Sequence, residues 1–274
     1  MKVFNTINEV REYRECSPEL GFVPTMGALH AGHASLIEAS AKQCKNTLVS
    51  IFVNPTQFAP DEDLTNYPRT LRADVELCQA AGADAVFAPL ADEMYPSKPA
   101  TWVDVDGVTD VLCGANRLGH FRGVTTIVCK LFNLIQPAYA YFGQKDAQQV
   151  LVIKRMVQDL NMPVKIVACP IVREPDGLAM SSRNVYLSDS ERVQALAISK
   201  SLIAAKAAFV AGERRVSELS RILQDILKPA VDRIDYAEFR DAETLDEVSE
   251  ITGPTLIAIA AIVGKTRLID NIVI

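Results

Sequence analysis

Basic charge is what this sequence is short of. Its 274 residues include 28 lysines and arginines against 34 aspartates and glutamates, a formal net charge of −6. A nucleic-acid binder carries a basic face, and this balance argues against one. Histidine is scarcer still, with only His30, His33 and His120. No C-x-x-C pair occurs. Cys16, Cys44, Cys78, Cys113, Cys129 and Cys169 are scattered through apolar segments and read as buried, reduced thiols of a cytosolic protein. There is no G-x-G-x-x-G, so a dehydrogenase has no fingerprint here. Gly264-Lys265-Thr266 has the tail of a phosphate-binding loop, but Ile259 stands where the upstream glycine is required, and a turn between two strands is the better reading. The opening MKVFNTINEVREY has no apolar stretch of the kind a secretory signal needs. The longest apolar run, Leu256 to Val263, falls well short of the ~20 residues of a membrane helix. No internal repeat and no low-complexity tract is found.

What is present is an alternation of short apolar runs with helical periodicity. The spacing predicts a helix over 6–15 capped by Thr6 or Asn8, a strand at Gly21-Phe22-Val23, and a helix over 33–44. Asn46 to Asn54 is almost continuously apolar, which suits a parallel strand covered on both faces. Pro55 to Thr70 is a polar, proline-rich loop too long for a simple connector. A helix over 72–81 ends at Gly82, and DAVFAP over 84–89 is the next strand. Residues 94–118 are irregular, with a candidate strand at Trp102-Val103-Asp104-Val105. Helix 123–135, strand 138–142, helix 145–160 and strand 164–169 complete the alternation. This order predicts an α/β fold, a Rossmann-like domain with a parallel sheet over residues 1–175. Helices over 188–211 and 216–227 then precede strands over 231–239, 255–263 and 267–274, which predicts a smaller C-terminal α+β domain over 176–274.

The stretch GFVPTMGALHAGHASL, Gly21 to Leu36, is the centre of the chemistry. A buried strand runs into the breaker cluster Pro24-Thr25-Met26-Gly27 and then into a helix start carrying His30, Gly32 and His33. Two imidazoles at i and i+3 share one face, at a helix end whose backbone N–H groups favour anions. Such a site suits a polyphosphate whose α-phosphorus is under attack. Zinc is the other use of two such histidines, but no third ligand lies at a useful spacing. Ligands on parallel sheets gather at the carboxyl ends of the strands. His30, Asn54, Gln57, Lys145 and Asp146 all fall just after predicted strands, so one site can collect them.

Four stretches, in this order, carry a resemblance: PTMGALHAGH over 24–33, FVNPTQF over 52–58, FGQKD over 142–146, and VREPDGLAMSSRN over 172–184. The first resembles the HIGH-type signature of the nucleotidyltransferase superfamily, and the set is similar to the pantothenate synthetase family across nearly the whole chain. That resemblance implies a carbon–nitrogen ligase that joins (R)-pantoate to β-alanine with ATP and Mg²⁺. A pantoyl adenylate would be the intermediate, with pyrophosphate and AMP released. His30 and His33 would act on the α-phosphate with Lys145 as a further catalytic charge. Met180-Ser181-Ser182-Arg183 resembles the superfamily's KMSKS loop without its lysines, so Lys145 would supply that charge. Met26, Gly27, Gly143, Asp146 and Val172 would line the nucleotide. Asn54, Gln57 and Gln149 offer neutral amides suited to a small hydroxy acid. Asp74 resembles the family's magnesium-linked carboxylate. Gln144 stands where the family commonly has Glu, a departure that leaves any carboxylate role there open. The resemblance also implies a cytoplasmic homodimer with a lid-like C-terminal domain, and no nucleic-acid or membrane partner. Two other readings are a nucleotidyltransferase that keeps the nucleotide in its product and a non-catalytic nucleotide sensor. AMP formed in proportion to both small substrates separates the first reading from these two.

Overall fold

The computed structural model describes residues 1–59, 64–65 and 67–274. In chain order the elements are β1 (Lys2–Phe4), α1 (Ile7–Glu15), β2 (Leu20–Thr25), α2 (Ala31–Gln43), β3 (Asn46–Ile51), α3 (Leu71–Ala80), β4 (Ala85–Phe87), α4 (Ala91–Met94) and α5 (Leu112–Asn116). There follow α6 (His120–Ile135), β5 (Tyr139–Gly143), α7 (Ala147–Asp159), β6 (Lys165–Cys169), α8 (Asp189–Val210), α9 (Val216–Leu227), β7 (Arg233–Asp241), β8 (Thr255–Val263) and β9 (Thr266–Val273). Short 3₁₀ turns occupy Pro55–Gln57, Gln144–Asp146 and Ser182–Tyr186.

The chain divides into two compact units. The first comprises Met1–Thr109, Arg117–Gln144 and Gln148–Pro170. Its sheet is parallel, six strands in the order β1-β4-β3-β2-β5-β6. Side chains alternate along each strand and build two cores. Phe22, Leu48, Phe87 and Phe142 pack with Val10 of α1, Phe132 of α6 and Ile153 of α7. Val23, Val49, Val86 and Tyr141 point the other way and pack with Ile37 of α2 and Cys78 of α3. Helices on both faces explain why these strands read as continuous apolar runs. Thr6 caps α1 in a reciprocal arrangement with Glu9.

The second unit comprises Asp110–Asn116, Lys145–Ala147 and Ile171–Ile274. Its antiparallel sheet β7-β8-β9 packs α8 and α9 through Ile198, Leu202, Leu219, Leu223, Ile257 and Ile259. Helix α8 is the one described helix long and apolar enough by length and composition to cross a membrane, yet Ala195, Ile198, Leu202 and Ala205 bury one face in this core. Gly264 turns the chain between β8 and β9 at φ +59°, as expected of Gly264-Lys265-Thr266.

Several local expectations are corrected. Residues 102–105 form no strand: the Val103 N–H donates to Thr126 Oγ1 (3.0 Å), and its carbonyl accepts from Thr125 Oγ1 (2.5 Å). Side chains of α6 thus satisfy backbone groups that a ladder would otherwise have used. Helix α6 begins at His120 rather than Gly123. Lys145 lies in a 3₁₀ turn, and the α-helix opens at Ala147. Cys16, at the end of α1, is exposed, while Cys44, Cys78, Cys113 and Cys169 are buried. The three-residue β1 and the short α4 and α5 are additions to the expected elements, too brief to show a period. The expected loop over 55–70 opens with a 3₁₀ turn, and part of it, residues 60–63 and 66, lies outside the described residues.

Candidate active site

The strand order of the first unit reverses between β2 and β5. From β2 the sheet grows through β3 to β4 on one side, and β5 and β6 lie on the other. A crevice forms at the carboxyl ends of strands at such a reversal. The loop after β2 carries Met26 to His33, and the loop after β3 carries Asn54 to Gln57. Thr25 pairs with Ile51, and the Phe52 N–H donates to the Thr25 carbonyl at 3.0 Å, so these loops leave the sheet side by side.

The loop after β2 turns through two successive left-handed residues, Gly27 at φ +82° and Ala28 at φ +51°. An alanine there is strained, so something must hold it. Asp74 does: Oδ2 accepts from Ala28 N–H (3.1 Å), and Oδ1 accepts from Leu29 N–H (2.8 Å) and Thr70 Oγ1 (3.2 Å). A Cβ on Gly27 would stand 3.1 Å from Asp74 Oδ2 and 3.2 Å from Ile51 Cγ2. Asp74 is buried at 2% exposure. Both its oxygens are engaged with the loop, and among the described residues no group of three His, Cys, Asp or Glu side chains could hold a metal. Burial, with the neighbouring Asp74 charge, pushes the Cys78 thiol up to about 12.

His30 is the N-cap of α2 and His33 its third residue. Gly32 N–H donates to His30 Nδ1 (3.1 Å), and His30 N–H donates to His33 Nδ1 (3.3 Å). The two rings lie 4.1 Å apart between centroids. A ring nitrogen that accepts from a backbone amide carries no proton, so each neutral imidazole holds its proton on Nε2. The sequence pattern i, i+3 therefore does more than share a face: it makes a reciprocal cap that fixes both tautomers at the positive end of a helix.

Asn54 and Gln57 share a third arrangement. Asn54 is 1% exposed. Its amide donates to Gln57 Oε1 (3.2 Å) and to the Gly123 carbonyl (3.1 Å), and its Oδ1 accepts from Thr56 Oγ1 (2.9 Å) and Tyr95 hydroxyl (3.0 Å). Burial pushes the Tyr95 hydroxyl up, which keeps it a donor. Both Asn54 N–H groups are thus spent inside the protein, orienting the Gln57 carboxamide. Gln57 Nε2 donates to Met26 Sδ (2.9 Å), a weak acceptor that a ligand oxygen can improve upon. His120 Nδ1 lies 2.9 Å from the Gln57 carbonyl and its Nε2 lies 2.9 Å from an Arg117 guanidinium nitrogen. A carbonyl can only accept and a guanidinium can only donate, so His120 has its proton on Nδ1. Gly123 admits α6 against this turn, since a Cβ there would fall 2.3 Å from the Thr56 carbonyl oxygen and 2.6 Å from the Gln57 backbone. Gly143 ends β5 and Gln149 is half-buried in the first turn of α7.

The remaining expected residues belong to the second unit. Lys145 Nζ pairs with Asp146 Oδ1 at 3.6 Å, and the Lys145 carbonyl accepts from Asn271 Nδ2 at 2.8 Å. Residues 172–180 fold back on themselves. Met180 N–H donates to the Val172 carbonyl (3.0 Å) and Glu174 N–H to the Leu178 carbonyl (2.8 Å), around Gly177 at φ +95°. Ser181 then caps the turn Ser182–Tyr186 by accepting from Arg183 N–H at 3.2 Å. Sequence reasoning passes over the groups that hold these residues: His120, Arg117 and Gly123 in the first unit, and Asn271, Glu174, Asn184 and Arg192 in the second. His120 and Gly123 have a visible signal in the run Gly119-His120-Phe121-Arg122-Gly123. Arg192 has none.

Comparison with known proteins gives the chain's relatives. A family model described as pantoate-beta-alanine ligase matches residues 2–273. Pantothenate synthetase from Acetivibrio thermocellus is 53% identical over 281 aligned positions, covering 100% of this chain and 99% of the relative. That from Geobacter sulfurreducens is 52% identical over 282, covering 100% and 99%. The crystal structure of pantothenate synthetase from Thermus thermophilus superposes with a TM-score of 0.96 at 44% identity, covering 99% of each chain. Pantoate-beta-alanine ligase from Francisella tularensis, in complex with beta-gamma ATP and beta-alanine, gives a TM-score of 0.80 at 31% identity, covering 99% of this chain and 97% of that one.

Proposed function

The chain belongs to the pantoate–beta-alanine ligase family, enzymes that make pantothenate from pantoate and β-alanine, and we propose that it drives this condensation with ATP through a pantoyl adenylate. A carboxylate resists attack by an amine until one of its oxygens becomes a good leaving group. The pantoate carboxylate attacks the α-phosphorus of ATP and pyrophosphate leaves. The β-alanine amine then attacks the acyl carbon, and the acyl–oxygen bond breaks to release AMP. The protein's share is to position the partners and to stabilise charge on the phosphates.

The observation that carries this reading is the reciprocal cap of His30 and His33 at the strand-order reversal. It fixes two Nε2–H donors at the anion-favouring end of α2 before any substrate arrives, and preorganised donors of this kind are worth most where charge develops. His30 and His33 are assigned to the α-phosphate. Lys145, Ser181, Ser182 and Arg183 are assigned to the pyrophosphate, and Gln57 and Gln149 to pantoate, while Met26, Gly27, Gly143, Asp146, Val172 and Met180 are assigned to the nucleotide's surroundings. Asn54 acts by aiming Gln57 and Asp74 by holding the 27–29 turn. Magnesium bound with ATP would supply charge neutralisation to the phosphates. The ATP and β-alanine held by the Francisella relative support both substrates here. The family likeness supports a cytoplasmic homodimer with a lid role for the second unit, which sedimentation and ligand-dependent scattering can test.

Pantoate-dependent exchange of labelled pyrophosphate into ATP, without β-alanine, is the direct test. Exchange that requires pantoate supports adenylation. ADP formed with pantoate in place of pyrophosphate exchange would instead put attack at the γ-phosphorus and remove the role given to both histidines.

A further inference from the structure

The loop Met180–Arg183 is closed at its base by one buried side chain. Asn184 is 7% exposed. Its Nδ2 donates back across the loop to the Ala179 carbonyl at 3.1 Å and also to Glu174 Oε1 at 2.6 Å. The Asn184 N–H donates to the Ser181 carbonyl at 3.0 Å, so the same residue holds the residue before the loop and one within it. Glu174 is in turn held by a charge. Its Oε2 lies 2.5 Å from an Arg192 guanidinium nitrogen, and the same guanidinium reaches Asp176 Oδ2 at 2.7–2.8 Å. Arg192 stands in the first turn of α8, whose core face is packed, so the clamp is anchored in the rigid part of its unit. On the far side Arg173 makes a two-pronged pair with Asp270 of β9 (2.6 and 3.0 Å) and donates to the Gly177 carbonyl at 3.1 Å.

We propose that the relay Arg192–Glu174–Asn184 is a positioning device that sets the grip of Ser181, Ser182 and Arg183 on the polyphosphate of the nucleotide. This rests on the role given to that loop under Proposed function. Three features argue for positioning rather than bulk stability. The relay's contacts all fall on the backbone or carboxylates that bracket residues 180–183. Asn184 Oδ1 is buried without a hydrogen-bond partner among the described residues, a cost accepted while Nδ2 is aimed at the loop. Finally, a carboxylate between an amide and a guanidinium gives a directional, charge-assisted bond that a simple packing contact would not.

The test uses Asn184→Asp, which keeps the shape but faces Glu174 with a second carboxylate, and Arg192→Gln, which leaves Glu174 uncompensated. Arg192→Lys serves as the conservative variant, and Asn184→Asp combined with Glu174→Gln returns one donor to the pair. Each is measured for ATP–Mg²⁺ affinity by calorimetry, pantoate KM, pyrophosphate exchange and melting temperature. The proposal expects ATP affinity to fall about tenfold or more in Asn184→Asp and Arg192→Gln. Pantoate KM should stay within about twofold, Arg192→Lys should fall between, and the double variant should recover part of the loss. ATP affinity unchanged in folded Asn184→Asp and Arg192→Gln overturns the proposal. So does an equal rise in both substrate constants, which would mark general disorder, and so does a double variant no better than Asn184→Asp alone. If wild type binds ATP but shows no pantoate-dependent exchange, the adenylate reading fails. The ATP affinities still decide the relay, because they do not pass through that step.

Discussion

The two units hold their candidate site residues by opposite means. In the first, neutral groups do most of the work: backbone amides donate to His30 and His33, an Asn54 amide aims Gln57, and Gly123 lets a helix press against the 55–57 turn. In the second, charges do it: Arg192 with Glu174 and Asp176, and Arg173 with Asp270. Neutral, buried bonds such as those of the Asn54 amide are insensitive to salt and to mild acid. Ion pairs that stay a third exposed, as Arg192 does, are open to both. The first arrangement suits groups whose geometry must be fixed before the substrate arrives. The second suits a loop that answers to a highly charged ligand.

The largest expected effect comes from breaking the neutral side at its centre. His33→Ala removes a proposed phosphate donor, and kcat for AMP formation should fall about 10²–10³-fold. It also removes the acceptor that caps His30 N–H, so stability should drop by about 1 kcal/mol. Activity within a few-fold of wild type, in a protein that shows that loss of stability, would make the pair a helix cap and nothing more.

Gly123→Ala comes next. Its Cβ meets backbone rather than a flexible side-chain tip, so the 55–57 turn must move, at a cost of about 1–3 kcal/mol. Because that turn carries Gln57, pantoate KM should rise about tenfold while ATP KM stays near wild type. Gln57→Ala should reproduce the KM pattern, with a stability loss of about 1–3 kcal/mol from the Asn54 donor it leaves unpaired. An ATP KM that rises equally in both variants would separate Gln57 from pantoate.

The charged side gives the smallest effect and the one that depends on pH. Burial pushes the Asp176 carboxyl up, but the Leu178 amide and the Arg192 guanidinium outweigh it and hold it below its ordinary value. A carboxyl depressed in the folded state contributes stability that is complete above its unfolded pKa of about 3.9 and is lost as pH falls through the lower folded value. Asp176→Asn should therefore melt slightly below wild type at pH 6, and the gap should close as pH falls below the ordinary carboxylate range. A gap that persists in acid would mean that the turn, not the ion pair, depends on Asp176.

Much of this is legible in the residues. The parallel sheet follows from apolar runs too continuous for a one-sided strand, and a helix after the breaker cluster follows from the periodic segment from His33, although α2 begins two residues earlier, at Ala31. Asn54, Gln57 and the histidines fall after strands, so topology alone predicts that the sheet's end will gather them. What stays hidden is set by contacts distant in sequence. Nothing local shows that Asp74 reaches back to Ala28, that Asn54 spends its donors on Gln57 and Gly123, or that Arg192 anchors a turn sixteen residues before it. Trp102-Val103-Asp104-Val105 misleads for the same reason: its alternation suits a strand, but threonines of α6 supply its hydrogen bonds. The family resemblance suggests the site residues, and the geometry shows which of them hold others in place.

The proposed attack at the α-phosphorus would leave a mark that oxygen tracing can read. Pantoate labelled with ¹⁸O in its carboxylate is turned over with ATP, Mg²⁺ and β-alanine, and the nucleotide and phosphate products are weighed by mass spectrometry. One labelled oxygen is expected in AMP and none in pyrophosphate, with label transfer lost in step with activity in His33→Ala. Labelled inorganic phosphate alongside ADP would contradict attack at that phosphorus.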